Sequence, residues 1–370
     1  MFKKLISLIL ACSIFTMLSA CDFSSSSENQ RKEIKNVILL IGDGMGPNQI
    51  RAGELYKQEK LFMQTIEQSI KVSTYSAHGD VTDSAAAATA LATGTSTTNG
   101  FVGKDPEKVD LETIVDIAHN AGKRTGVITT EELYGATPMG FSGHADARSN
   151  YEALAASAAS SSNVNLFAGT PFPSGKRYLL DQYLNNGYEW ILSANDISEC
   201  EQEHIIGEYP IIAGVESMYI DEYFVSFDGL VAEALEYLSK DEDGFFLMAE
   251  GAHIDHGGHN NDISYMLTEL LAFDDMVKYV VEWASKRDDT LVIVTADHET
   301  GGLQVSGDAQ YGELFDYYMW TTTGHTGTEV WLFAYGDEID FKSYSYYDSN
   351  EKLKNIDVFS ILKAYVTNEY

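Results

Sequence analysis

The sequence predicts an α/β fold, a three-layer sandwich in which helices cover both faces of a large, mostly parallel central sheet. Three observations lead to this prediction: continuous apolar runs, an apolar stripe with helical period, and polar motifs directly after the apolar runs. With 370 residues the chain has room for one large domain or two small ones. Its hydrophobic content of 44% is that of an ordinary globular protein, so a sizeable core is expected.

Five short apolar runs are predicted strands. They lack the alternation of polar and apolar residues found in half-exposed strands, which is typical of parallel strands buried on both faces. The runs are residues 37–41, 125–129, 245–249, 291–295 and 330–334.

Two segments are predicted helices. Between Ile263 and Ala284 apolar residues recur at the spacing of one helix face, and we expect them in the core. The alanine-rich segment after Ser84 favours a second helix, whose first residues would be Thr82, Asp83 and Ser84.

The N-terminus has the pattern of a lipoprotein signal peptide, residues 1–20. Two lysines precede an apolar run shorter than the roughly 20 residues of a spanning helix. The motif Leu18-Ser19-Ala20-Cys21 then predicts cleavage before Cys21 and its acylation. We therefore expect an exported lipoprotein, anchored on the periplasmic or extracellular face of a membrane. The alternative is a plain cleaved signal peptide.

The rest of the chain divides into a polar tether at residues 21–35 and a catalytic domain at 36–370. Within the domain, residues 171–223 are rich in Tyr, Gly and acidic residues and are predicted to be an insertion or a lid. If Cys21 is acylated, Cys200 has no partner for an internal disulfide.

The net charge of −32 bears on ligands and partners. Such a surface repels nucleic acid and anionic lipid, so no nucleic-acid binding is expected. It also repels anionic substrates, so a phosphate site would need local positive charge, which metal ions could supply.

The polar motifs share one position, directly after a predicted strand. Gly42-Asp43-Gly44 follows the first strand, residues 130–137 the second, Glu250 and Asp255 the third, and Asp297-His298 the fourth. Ligands of open α/β sheets bind at the carboxyl ends of strands, so these residues are expected to converge.

Several of these residues suit cations or anions. Asp43 lies in a glycine-rich turn whose carboxylate would repel a dinucleotide but could hold cations. Asp255 and His259 are four residues apart, so one helical turn would place both on one face as zinc ligands. His325 adds an imidazole in a glycine-rich loop. A serine such as Ser84 at a helix N-terminus is either an ordinary cap or an activated nucleophile.

Five motifs, at Asp43, at Ser84, from Glu250 to His259, at Asp297-His298 and at His325, occur in the order found in bacterial alkaline phosphatases. The chain resembles that family from about Asn36 to Gly336. The resemblance implies the alkaline phosphatase-like fold, a homodimer, and two zinc ions with one magnesium ion. By resemblance, the first zinc is held by Asp255, His259 and His325, the second by Asp43, Ser84, Asp297 and His298, and the magnesium by Asp43, Thr137 and Glu250.

The implied reaction is hydrolysis of phosphate monoesters to an alcohol and inorganic phosphate through a covalent phosphoserine. Ser84 would be the nucleophile, and Arg148 would clamp the phosphate. Gly135 departs from the family pattern, because relatives carry Asp or His there, and His256 stands where they carry Lys, Trp or His. Loss of a group around the ligands typically costs about 10–100-fold in metal affinity or activity, so Gly135 is expected to bear mainly on magnesium occupancy.

Three other functions fit the sequence less well. A sulfatase would need a Cys/Ser-x-Pro-x-Arg motif, which the sequence lacks. Phosphodiesterases of the same superfamily commonly use Thr and lack the arginine, so Ser84 with Arg148 favours monoesters. A non-catalytic metal- or phosphate-binding lipoprotein would not need Ser84 within a complete ligand set.

Overall fold

The computed structural model describes residues 32–214, 220, 224–344 and 351–370. The predicted signal peptide, Cys21 and most of the tether lie outside the described residues. Within them, no helix is both long and apolar enough to cross a bilayer.

The described residues form sixteen strands. In chain order they are β1 Asn36–Gly42, β2 Gln68–Ser73, β3 Arg124–Glu132, β4 Leu166–Thr170, β5 Glu189–Ile191, β6 Ile205–Glu208, β7 Ile211–Ile212, β8 Val225–Ser226, β9 Phe245–Gly251, β10 Thr290–Thr295, β11 Glu299–Thr300, β12 Gln304–Val305, β13 Tyr318–Met319, β14 His325–Thr326, β15 Val330–Tyr335 and β16 Leu353–Lys354.

Ten α-helices accompany these strands in the same part of the chain. They are α1 Pro47–Lys57, α2 Ser84–Thr93, α3 Ile114–Asn120, α4 Ala136–Ser142, α5 Tyr151–Ser161, α6 Tyr178–Asn185, α7 Phe227–Leu238, α8 His253–His259, α9 Ile263–Ala284 and α10 Asn355–Thr367.

Ten of the strands form one sheet, in the order β16-β2-β15-β10-β1-β9-β3-β4-β6-β5. All five predicted strands are confirmed, as β1, β3, β9, β10 and β15. Every neighbouring pair is parallel except those made by β15, which runs antiparallel to β10 and β2. The segment before β15 lies at the end of the sheet where β10 finishes, so β15 runs in the direction opposite to β10.

Two groups of helices pack on this sheet. One group is α1, α7, α8 and α9, and the other includes α2, α3, α4 and α10; β1 and β9 contact helices of both groups. Because β1 and β9 are buried along their whole length, their continuous apolar sequences match their surroundings. The predicted sandwich, with a large and mostly parallel sheet, is confirmed.

The two predicted helices are present as α9 and α2. The Asp262 carboxylate caps α9 by accepting hydrogen bonds from the amides of Ser264 and Tyr265. Helix α2 begins at Ser84 instead of Thr82, because Asp83 is in extended conformation and caps the helix through the Ala86 amide. Ser84 is therefore the first helical residue.

The described part of segment 171–223 contains α6 and strands β5 to β7. Strand β6 pairs with β4, and β5 pairs with β6, so this segment forms one edge of the central sheet.

Candidate metal centre and nucleophile

Strand register brings the polar motifs to one edge of the sheet. Ile41 of β1 pairs with Glu250 of β9 on one side and with Thr295 of β10 on the other. Asp43 and Asp297, each two residues further on, therefore lie beside Glu250, as predicted from the strand ends.

The turn after β1 lies close to helix α8. Gly44 has a φ of +74°, and a Cβ there would lie 2.7 Å from Asp255 Cα. Only glycine fits both the positive φ and this approach, so the Gly-Asp-Gly motif lets α8 pack against the end of β1.

The first cluster of ligand atoms comes from Asp255, His259 and His325, whose donor atoms lie within 4.8 Å of one another. His259 Nε2 is 3.3 Å from Asp255 Oδ2 and 3.2 Å from His325 Nε2. The Nδ1 atom of His259 is 2.5 Å from the Thr323 carbonyl, and that of His325 is 2.8 Å from the Thr82 carbonyl. These carbonyls orient the rings so that both Nε2 atoms face the same point.

The second cluster is formed by Asp43, Asp297 and His298, all three buried, again within 4.8 Å of one another. His298 Nε2 is 3.1 Å from Asp297 Oδ2 and 3.5 Å from Asp43 Oδ1. The His298 ring stacks on the His325 ring with centroids 3.6 Å apart, so the two clusters are adjacent.

Ser84 lies against the second cluster. Its buried hydroxyl oxygen is 3.2 Å from His298 Nε2, and its backbone begins helix α2. The free amides and the dipole of the helix N-terminus favour negative charge at this point.

A third set of donors consists only of oxygens, from Asp43, Thr137 and Glu250. Thr137 lies in the first turn of α4, and Glu250 lies near the end of β9 and accepts a 2.5 Å hydrogen bond from the Thr129 hydroxyl. All three side chains are buried.

Buried oxygens without hydrogen-bond partners test whether cations fit here. Among the described residues such atoms include Asp43 Oδ1, Thr137 Oγ1, Glu250 Oε1 and Asp297 Oδ2. Leaving a buried acceptor unpaired is costly, so atoms of this kind usually have an ion or water as partner. The first two clusters mix imidazole and carboxylate, which suits zinc, and the third is all oxygen, which suits magnesium.

Electrostatics lead to the same conclusion. Burial and the Asp255 charge raise the pKa of Asp297 to about 8, and burial raises the pKa of Glu250 to about 7. Burial followed by the charge of Asp297 raises the pKa of Asp43 well above its ordinary value. Burial also lowers the pKa of His298, which keeps its ring neutral and able to bind a metal.

Arg148 lies in the loop before α5, at the entrance of the site. Its Nη1 atom is 3.5 Å from Asp83 Oδ2, and its side chain is 44% exposed. Its charge acts on the pKa values of Glu250, His259 and His298, so the guanidinium lies near all three ligand sets. All ten predicted site residues therefore lie in one region.

The position of Gly135 is not an empty space. A Cβ built there would lie 1.9 Å from Glu131 Oε1, so the Glu131 carboxylate occupies the place of a side chain at position 135. His256 Nε2 is 3.9 Å from Glu131 Oε2.

Sequence reasoning missed Glu131 and Thr300. The Thr300 hydroxyl is 2.5 Å from Asp255 Oδ1 and 3.2 Å from His298 Nδ1, so it links the first two clusters. The available signals were the place of Thr300 two residues after His298 and the place of Glu131 within the polar segment 130–137.

Comparisons with known proteins show the family. The family model "Alkaline phosphatase" matches residues 34–169 and 174–315. Alkaline phosphatase 3 of Bacillus subtilis (strain 168) is 32% identical over 331 residues, covering 84% of this chain and 72% of that protein. The chain therefore belongs to the alkaline phosphatase family, and it is a phosphatase.

Solved structures show the same fold. The alkaline phosphatase of the Antarctic bacterium TAB5 has a TM-score of 0.75 at 29% identity, covering 91% of this chain and 98% of its own. A mutant of the TAB5 enzyme, with aspartate replacing a histidine and Mg bound in its M3 site, has a TM-score of 0.74 at 28% identity. That match covers 91% of this chain and 99% of the mutant.

Proposed function

We propose that this phosphatase hydrolyses phosphate monoesters through a covalent phosphoserine at Ser84, with two zinc ions and one magnesium ion. The observation that carries the proposal is the Ser84 hydroxyl, which begins α2 and lies 3.2 Å from His298 Nε2, within the second cluster. A serine next to a metal cluster at a helix N-terminus has the surroundings of an activated nucleophile.

The proposed ligands follow from the donor sets. One zinc would take Asp255, His259 and His325, and the other Asp43, Ser84, Asp297 and His298. Magnesium would take Asp43, Thr137 and Glu250, which offer only oxygens; magnesium bound to a TAB5 mutant of similar fold supports this assignment.

In the proposed mechanism the Ser84 oxygen attacks phosphorus in line with the leaving alcohol. Water then attacks the phosphoserine, with the Ser84 oxygen as the leaving group, and inorganic phosphate is released. When bound, the cations would supply the positive charge that lowers the pKa of Ser84 and stabilises the entering and leaving oxygens. The amides at the start of α2 would face the phosphate, and Arg148 would hold two of its non-bridging oxygens in a bidentate pair. His259 and His325 are held in place by the carbonyls of Thr323 and Thr82, so the ligands need little rearrangement.

Ser84→Ala tests the covalent route. We expect the variant to fold and bind metal but to lose more than about a thousandfold in kcat, because no other side chain replaces the nucleophile. The measurements are metal content, steady-state rates on a chromogenic monoester, and mass spectrometry of acid-quenched wild type for phosphate on Ser84. Ser142→Ala is the control, since Ser142 is a buried serine that bonds only its own helix at Pro138. Turnover of Ser84→Ala near the wild-type rate would exclude the mechanism.

Substrate class has a separate test. Rates on a monoester, a diester and a sulfate ester, measured with the same metal-loaded protein, should favour the monoester. A preference for the diester would instead favour a phosphodiesterase of the same superfamily.

We also propose that the protein is a homodimer and is anchored to a membrane through acylated Cys21. Wild type should partition with membranes and carry lipid on Cys21 by mass spectrometry, whereas Cys21→Ser should be released. Recovery of unmodified wild type in the soluble fraction would refute the anchor. Light scattering of the purified enzyme tests the dimer.

A further inference from the structure

We propose that Glu131 supplies a carboxylate to the magnesium site, in the place that a side chain at position 135 would occupy. The inference rests on the proposed third cation, held by Asp43, Thr137 and Glu250. It assigns a role to a residue of the polar segment 130–137 that the resemblance did not name as a ligand. The Glu131 carboxylate would then take the place of the side chain that is missing at Gly135.

Backbone geometry places Glu131 there. Glu131 lies one residue before the end of β3, and the Gly135 amide donates to the Glu132 carbonyl at 2.7 Å, which folds the turn back on the strand. A Cβ at Gly135 would lie 1.9 Å from Glu131 Oε1 and 2.7 Å from its Cδ. In this conformation the Glu131 carboxylate fills the place of a side chain at position 135, so a side chain there would require the carboxylate to rotate away.

Hydrogen bonds connect Glu131 with the magnesium donors. The Thr129 hydroxyl accepts from the Glu131 amide at 3.1 Å and donates to Glu250 Oε2 at 2.5 Å. One threonine thus positions both acidic residues. The unpartnered oxygens, Glu250 Oε1 and Thr137 Oγ1, are buried in the same region.

The charges around Glu131 favour a cation. Glu250, Glu132 and Asp255 repel its negative form, and Arg148 is the cation that acts on it. His256 Nε2 is 3.9 Å away and its side chain is 45% exposed, so it offers a weak, solvent-screened contact. A hard divalent cation with oxygen ligands would offset the repulsion between the carboxylates and bind the unpartnered oxygens at once.

Glu131→Gln tests this role, because it keeps the size of the side chain and removes its charge. Magnesium binding to zinc-loaded protein should weaken by about 10–100-fold by isothermal titration calorimetry, the usual loss for a group that supports a metal ligand. Zinc content should not change, and the rise in Tm produced by MgCl₂ should shrink. Glu132→Gln, which removes the same charge one residue along, is the matched control and should bind magnesium within about twofold of wild type.

A second pair of variants tests whether a carboxylate at position 135 can replace that of Glu131. Glu131→Ala should bind magnesium weakly, and adding Gly135→Asp should restore at least tenfold of the lost affinity, because Gly135 has an ordinary φ of −54° that Asp can adopt. Equal magnesium affinity in wild type, Glu131→Gln and Glu132→Gln would overturn the proposal. Failure of Gly135→Asp to restore binding would overturn the claim that the Glu131 carboxylate takes the place of a side chain at position 135. Calorimetry does not depend on turnover, so these outcomes are separate from any failure of Ser84 as nucleophile.

Discussion

At the scale of single residues, the pair of Arg148 and Asp83 is weak enough for the proposed phosphate contact to replace it. Its contact with Asp83 is 3.5 Å long and joins two side chains that are both partly exposed, so the pair contributes little to stability. A phosphate offers two oxygens to the planar guanidinium and would bind it more strongly than Asp83 does.

Arg148→Ala should therefore weaken both binding and turnover. A charged, bidentate hydrogen bond contributes about 1.5–3 kcal/mol, so kcat/KM should fall by about one to two decades. Inhibition by inorganic phosphate should weaken in parallel, since the product has the same oxygens. Metal content should stay constant, because no proposed ligand is removed.

Two further variants sharpen this measurement. Arg148→Lys keeps the charge but loses the planar fork, so it should recover only part of the loss. Arg287→Ala is the control, because Arg287 also pairs with a single aspartate, Asp289, at the surface. Unchanged kcat/KM and phosphate inhibition in Arg148→Ala would mean that Arg148 does not face the phosphate.

At the scale of elements, the N-terminus of α2 has a structural role and the proposed chemical one. The cap residue, Asp83, uses one oxygen for the Ala86 amide at 3.0 Å and the other for Arg148. Ser84 comes directly after this cap, so the helix start fixes where the hydroxyl lies relative to His298. Asp83 thus stabilises the helix and also contacts Arg148.

Substitutions of Asp83 should separate the two roles. Asp83→Ala removes the cap and should lower the free energy of unfolding by about 0.5–2 kcal/mol. Asp83→Asn keeps an acceptor for the Ala86 amide and should lose less than half of that, while both variants free Arg148. Urea denaturation measures the first effect and phosphate inhibition the second. Equal destabilisation by Asn and Ala would show that the cap is not what Asp83 contributes.

At the scale of the whole molecule, the fold gathers negative charge in its interior. The chain carries a net charge of −32, and the site buries Asp43, Glu250 and Asp297 close together. Charges of one sign in such surroundings oppose folding unless they are protonated or bind cations. Metal binding is therefore expected to contribute directly to the stability of the domain.

The metal-free protein should lose stability as pH rises. Glu250 has an ordinary pKa of 4.5 and a folded pKa of about 7, and Asp297 has 3.8 and about 8. Because both values are raised on folding, the folded state binds protons more tightly, so stability is greatest below pH 4 for these groups and declines through pH 8. The pKa of His259 is raised from 6.5 to about 9 by its hydrogen bond with Asp255. This group therefore also lowers stability as pH rises, between about pH 6.5 and pH 9.

Thermal unfolding with and without chelator measures this effect. The Tm of chelator-treated protein should fall between pH 6.5 and pH 8, above the range in which the lowered pKa of His298 acts in the opposite direction. The rise in Tm produced by zinc and magnesium should grow from pH 5 to pH 8. Metal binding needs deprotonated ligands, which adds to the trend. A rise in Tm that is equal at pH 5 and pH 8 would contradict the assignment of Glu250 and Asp297 to the metal sites.

The sequence by itself determined the sandwich, the main strands and helix α9, because the periods of buried strands and helices can be read from apolar residues alone. It also pointed to the convergence of Asp43, Glu250 and Asp297, since parallel strands end at the same edge of a sheet. His325 and Arg148 lie outside these strand ends, and only the resemblance to a family assigned them a role.

Tertiary structure decided the rest. The reversed direction of β15 depends on how the chain returns to the sheet, and the start of α2 depends on the extended backbone of its cap residue, Asp83. The contacts of Thr300 depend on where α8 packs, because its partner Asp255 lies on that helix. Glu131 is the clearest case, because its carboxylate takes the space left at Gly135 through a turn that folds residue 135 back on the strand. A linear pattern shows which side chain is missing at a position, whereas packing in three dimensions decides which other side chain takes that space.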